Sequence, residues 1–254
     1  MLSGQTLVQN EYYSAKSGDY LWFICNFAMI SSIFSYYTFT EYVQTIIISR
    51  AMDRQTFADF LHSHKDIIST IRERACALHA SVNQIYGDKL PYGYHLCQVA
   101  DAAMKYGHHV AAVEEDILPI VFGAYFHDSI EDARLTYNDL LKIASGMLSR
   151  SQALMATEIA YALTNEKGRN RAERANERYY SGIRSTPYAP FVKLCDRYAN
   201  ISYSCNGKND TRMRMIYQKE WNHFIEAITS NSTDVRLQLP EDLKENTTMM
   251  LSQK

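Results

Sequence analysis

The chain has 254 residues, 46% of them apolar, which is enough to bury a full core as one or two domains. Its 26 basic and 28 acidic side chains leave a formal net charge of −2, so there is no global basic field and nucleic acid is not an expected partner. Five scattered cysteines, with no C-x-x-C spacing, indicate neither a disulfide framework nor a zinc ribbon, and a reducing cytoplasm is the simplest setting.

Residues 1–51 differ from the rest and read as an N-terminal extension. Tyr20–Thr40 is uncharged and long enough to be weighed as a membrane span of about 20 residues. Asn26, Ser31, Ser32, Ser35, Thr38 and Thr40 interrupt it and weigh against membrane contact. A cleavable signal fits poorly, because no basic cluster precedes the apolar run. The segment therefore reads as an anchor, an accessory helix, or an extension the fold does not need. Met52, followed by Asp53 as a helix cap, marks the boundary of a domain expected over 52–230.

From Asp53 to Tyr86 apolar residues recur at threes and fours, predicting helix, and Gly87-Asp88-Lys89-Leu90-Pro91 ends it. His62, His64 and His79 have no carboxylate at metal-site spacing and read as surface or packing residues. A second helical pattern begins at His95 and stops near Gly107, with His108-His109 in the turn that follows. Ile117–Phe126 is apolar on every side, as in a helix buried in a core, and Pro119 is tolerable there if it lies in the first turn. Thr136 with Asp139 forms a capping signal, and a further helix is expected from about Ser151 to Leu163. The segment 164–184 is the one basic concentration, including Lys167, Arg171, Arg174 and Arg178; it reads equally as a solvated helix face and as a phosphate-binding cluster. Thr186-Pro187 is expected to start the helix carrying Asp196. A last helix is expected over Thr211–Ile228, and 231–254 reads as a polar tail. No repeat, glycine-rich phosphate loop or alternating strand run is present, so the predicted class is all-α.

The most informative stretch is Tyr125–Asp132, YFHDSIED, at the end of the apolar helix. If helical, Asp128, Glu131 and Asp132 share a face, and carboxylates converging in an enclosed pocket resist ionisation unless a cation neutralises them. With PYGYH around His95 and FVKLCDRYAN around Asp196, the order is a His, then His-Asp, then a later Asp. At these residues the chain resembles the HD superfamily of metal-dependent phosphohydrolases. Within it, PYGYH, HDSIED and VKLCDRYAN look most like the hydrolase domain of the RelA/SpoT family, over roughly residues 53–228.

The resemblance implies an all-α HD-domain bundle with a buried metal site formed by His95, His127, Asp128 and Asp196. Such a mixed N/O set suits Mn²⁺, Fe²⁺ or Zn²⁺, and the resemblance favours Mn²⁺. It also implies that Glu131 and Asp132 orient a water and move its proton, and that the ligand is a nucleotide. Asn200 is the expected nucleoside contact, with Lys193, Arg197, Lys89 and Arg171 as further substrate-binding candidates. The implied reaction is hydrolysis of the 3′-pyrophosphate of guanosine tetra- or pentaphosphate. The alternatives are another HD nucleotide phosphohydrolase, such as a deoxynucleotidase, and a non-catalytic nucleotide-binding module.

Overall fold

A computed structural model describes residues 50–87, 89–165, 169–206 and 211–252, and over them the chain is helical apart from one short hairpin. The expected extension at 1–51, including the uncharged run at 20–40, lies outside the described residues except for Arg50 and Ala51. Among the described residues no helix is long and apolar enough to cross a membrane.

The Met52 N–H donates to the Ala111 carbonyl at 2.9 Å, and Asp53 caps the first helix by accepting from the Thr56 N–H at 3.0 Å. The stretch expected to be one helical pattern is two: α1 (Arg54–Ser63) and α2 (Lys65–Ser81), broken at His64, where φ −109° and ψ 18° leave the helical region. Next comes an unforeseen antiparallel hairpin, β1 (Ile85–Tyr86) against β2 (Leu90–Pro91), with Tyr86 opposite Leu90. Strands of two residues are too short to show alternation in sequence. Gly87 turns the hairpin at φ +59°, and a Cβ there would run into the Tyr203 hydroxyl oxygen, so glycine meets both demands.

Helix α3 (Gly93–Tyr106) carries His95 in its first turn. Helix α4 (Ile117–Phe126) is buried at all ten positions, and Pro119 lies in its first turn, where no intrahelical N–H bond is forfeited. It packs against α2, α3 and α6 (Arg150–Ala162), meeting α6 at Gly123, where a Cβ would stand 2.5 Å from Ile159 Cγ2. Capping boxes start α5 (Tyr137–Ser145), from Thr136 and Asp139 as expected, and α6, from Ser149 and Gln152. The chain continues through α7 (Arg171–Arg174), α8 (Glu177–Ser185), α9 (Ala189–Cys205), α10 (Thr211–Ile228) and α11 (Glu241–Ser252).

Two expectations near the C-terminal half need correction. Thr186 closes α8, and the residue that starts α9 is Tyr188, at φ +67°, with Pro190 in the first turn. The tail is not featureless: α11 buries Leu243, Thr247 and Leu251 and packs on α9, a stripe one residue wide per turn that a sequence pattern hardly registers.

Tyr188 ties the start of α9 to the start of α4. Its N–H donates to Arg236 O at 2.7 Å, and its hydroxyl donates to the Asp116 carboxylate ahead of α4 while accepting from the Ala112 N–H. A Tyr188→Phe variant leaves Asp116 buried without this donor and should lose about 1–3 kcal/mol of stability. An unchanged urea midpoint would refute that role.

Candidate metal centre

Three remote segments deliver the implied ligands to one place. His95 comes from the start of α3, His127 and Asp128 from the turn that leaves α4, and Asp196 from the middle of α9. The helix does not continue through HDSIED as the sequence suggested: α4 ends at Phe126, and residues 127–132 form successive turns. One helical-type bond survives, from the Asp132 N–H to Asp128 O at 2.8 Å, and keeps these two carboxylates one turn apart.

His127 Nδ1–H donates to Ala124 O at 2.9 Å, which fixes the tautomer and leaves Nε2 as the inward atom. That Nε2 lies 2.8 Å from Asp128 Oδ2, 3.3 Å from His95 Nε2 and 3.9 Å from Asp196 Oδ1. His95 Nε2 is 3.3 Å from Asp196 Oδ1 and 3.7 Å from Asp128 Oδ2. His95, His127 and Asp128 each offer a ligand atom, all within 4.8 Å of one another, and this group can hold a metal ion. Two buried imidazoles nose to nose between carboxylate oxygens form a donor set that fits a cation.

The electrostatics are those of a site that concentrates negative charge. Burial pulls the His127 imidazole down, but the adjacent Asp128 carboxylate, with Asp196 behind it, outweighs burial and holds it at about 9. Burial pulls Asp128 up, yet His127 keeps it well below the usual carboxylate range. Asp196 is likewise held low against burial, chiefly by Lys193, whose Nζ is 2.9 Å from Oδ2. Asp132 goes the other way, raised by burial and then by the charge of Asp128.

A cavity of about 680 Å³ opens over the cluster and is lined by His95, Asp128, Glu131, Asp132, Lys193, Asp196, Arg197 and Asn200 together with residues the sequence reading did not single out for the site. Tyr92 is one of these: its hydroxyl donates to Asp128 Oδ2 at 2.5 Å, and its ring stacks on the buried His79 at 5.0 Å. Asn165 donates to Glu131 Oε2 at 2.7 Å, and Arg174 lies 3.6 Å from Glu131 Oε1. Tyr92 sits within the PYGYH motif and Arg174 within the basic segment, so both had a sequence signal. Asn165, within that segment but uncharged, and Tyr86 carried no signal of their own.

The substrate-binding candidates divide. Lys193 lines the cavity but is paired with Asp196, and Arg197 is paired with Glu220 at 3.1 Å and lies over the Phe224 ring at 4.2 Å. Asn200 is also committed: its Nδ2 donates to Asp196 Oδ1 at 2.6 Å, and its Oδ1 accepts from the Tyr86 hydroxyl at 2.9 Å. Lys89 is exposed in the hairpin turn and does not line the cavity. Arg171 opens α7, and its side chain lies outside the described residues.

No protein-family model matches the chain, and no curated protein matches it either.

Proposed function

We propose that the protein is a metal-dependent phosphohydrolase of the HD type, acting on the 3′-pyrophosphate of guanosine tetra- or pentaphosphate to give GDP or GTP and pyrophosphate. The observation that carries this reading is the convergence of His95, His127, Asp128 and Asp196 beneath a cavity whose wall also holds Glu131 and Asp132. A divalent cation held by those four residues, Mn²⁺ by the resemblance and Fe²⁺ or Zn²⁺ as alternatives, supplies Lewis-acid polarisation of phosphoryl oxygen and acidifies water.

The chain's own residues do the rest. Asp132, pushed by burial and by Asp128 toward holding a proton, is the group to accept the proton of the attacking water. Glu131, anchored by Asn165 and Arg174, orients that water. Tyr92 keeps Asp128 turned toward the cluster. Lys193 and Arg197 are held closely by Asp196 and Glu220 and little exposed, whereas Arg174 stands half-exposed and 3.6 Å from Glu131, and is the described guanidinium of the cavity wall most open to phosphate oxygens.

A second reading, another HD nucleotide phosphohydrolase, is favoured by one observation: the implied nucleoside contact, Asn200, has its amide engaged at both ends. One assay separates the two. Purified full chain with Mn²⁺ and a nucleotide panel should release intact pyrophosphate from guanosine tetraphosphate. Orthophosphate as the sole product, from 5′-monophosphates, would overturn the alarmone reading and leave the deoxynucleotidase reading.

A further inference from the structure

The two histidines of the cluster are supported differently. A ligating histidine is ordinarily fixed by a hydrogen bond from its outer ring nitrogen, as His127 is by Ala124 O. His95 Nδ1 is buried with no hydrogen-bond partner among the described residues. What holds its ring is aromatic packing: Tyr86 lies parallel to it, with centroids 4.8 Å apart and planes inclined by 14°, and Tyr92 meets it edge-on at 5.5 Å.

The hydroxyl of the same Tyr86 reaches a second ligand. It donates to Asn200 Oδ1 at 2.9 Å, and Asn200 Nδ2 donates to Asp196 Oδ1 at 2.6 Å and to the Asp196 backbone carbonyl at 3.0 Å. Asp196 Oδ1 is the oxygen that stands 3.3 Å from His95 Nε2. The direction of this chain is set by chemistry: a carboxylate accepts only, so the Asn200 amide must turn its NH₂ toward Asp196, which leaves its oxygen for a donor. Tyr86 is that donor, and burial keeps its phenol protonated. The side chain is itself placed by the hairpin, whose turn at Gly87 abuts the Tyr203 hydroxyl, and by the Tyr203 ring, 4.7 Å from the Tyr86 ring.

We propose that Tyr86 is a positioning residue of the metal centre, orienting His95 through its ring and Asp196 through its hydroxyl and Asn200. It thereby couples one ligand on α3 to another on α9. This inference rests on the reading of the cluster as a divalent-cation site.

The test is Mn²⁺ binding by calorimetry to chelator-treated full chain, comparing wild type, Tyr86→Phe, Asn200→Ala and the double variant. Tyr86→Phe keeps the stacked ring and removes one oxygen, so thermal melting should be close to wild type while the Mn²⁺ dissociation constant rises about three- to tenfold. Asn200→Ala should weaken Mn²⁺ by about tenfold or more, the range seen when a group behind a metal ligand is lost. The double variant should be no weaker than Asn200→Ala, because the hydroxyl then has nothing to hold. Wild-type Mn²⁺ affinity in Tyr86→Phe, or losses that multiply in the double variant, would overturn the proposal. Failure of the wild type itself to bind any of Mn²⁺, Fe²⁺ or Zn²⁺ would overturn the metal reading, and this inference with it, before any variant is compared.

Discussion

The double variant Glu131→Gln/Asp132→Asn should retain Mn²⁺ and lose roughly a hundredfold or more in turnover. Both replacements nearly preserve shape. A glutamine at 131 still accepts from Asn165, but it no longer offers a charge to Arg174, and an asparagine at 132 cannot take a proton. Neither residue contributes an atom to the inner group of His95, His127 and Asp128, so metal content measured by atomic emission should stay at the wild-type level. Asp196→Ala should behave differently. It removes the oxygen beside His95 and strips the partly buried Lys193 of its carboxylate partner, so metal and activity should fall together. A double carboxamide variant with wild-type turnover and full metal would refute the roles given to Glu131 and Asp132.

Chelator-treated protein should lose stability as pH rises from about 6.5 to about 9. His127 has its folded pKa raised from an ordinary 6.5 to about 9, so its contribution is complete below 6.5 and disappears as pH climbs through 9. The amount is on the order of 3 kcal/mol at most. Asp128 is the partner in the same ion pair, with its folded pKa depressed, so its share is present above the ordinary carboxylate value of 3.8 and is lost in acid. The two describe one interaction and are not added. With saturating Mn²⁺ the alkaline loss should vanish, because the cation takes the place of the proton and binds the neutral imidazole. Urea unfolding at pH 6, 7, 8 and 9, with chelator and with Mn²⁺, reads this directly. A chelated protein equally stable across that window would show that the His127–Asp128 pair is not coupled to folding.

Features governed by neighbouring residues were legible in the sequence. The all-apolar Ile117–Phe126 announced a central buried helix, Thr136 with Asp139 announced a cap, and the adjacency of His127 and Asp128 marked where a charged cluster would be enclosed. Features decided by tertiary contact were not. Nothing local marks His64 as a break, a two-residue strand has no period, and Tyr188, which starts α9, bonds a partner 72 positions away. Asn200 shows how one spacing serves more than one task. Its position one turn past Asp196 suggested a contact for the nucleoside, and the same spacing lets its amide bond Asp196 itself. The basic segment was equally ambiguous, because facing Glu131 depends on how the chain returns through α7, and Arg174 is the residue that does so.

The link from Tyr188 to Asp116 also bears on where the chain can change length. It returns the polypeptide to the beginning of α4 after an excursion that starts at the other end of that helix, so residues between Asp128 and Tyr188 form a loop closed at both ends. Lengthening such a loop at an exposed turn, for example at Gly146 between α5 and α6, adds only a small closure cost that grows with the logarithm of its size. The spacing between His127 and Asp196 is carried by α4 and α9, whose starts the Tyr188–Asp116 bond joins, and no residue between Asp132 and Asn165 lines the cavity, so an insertion at that turn would leave the cluster in place.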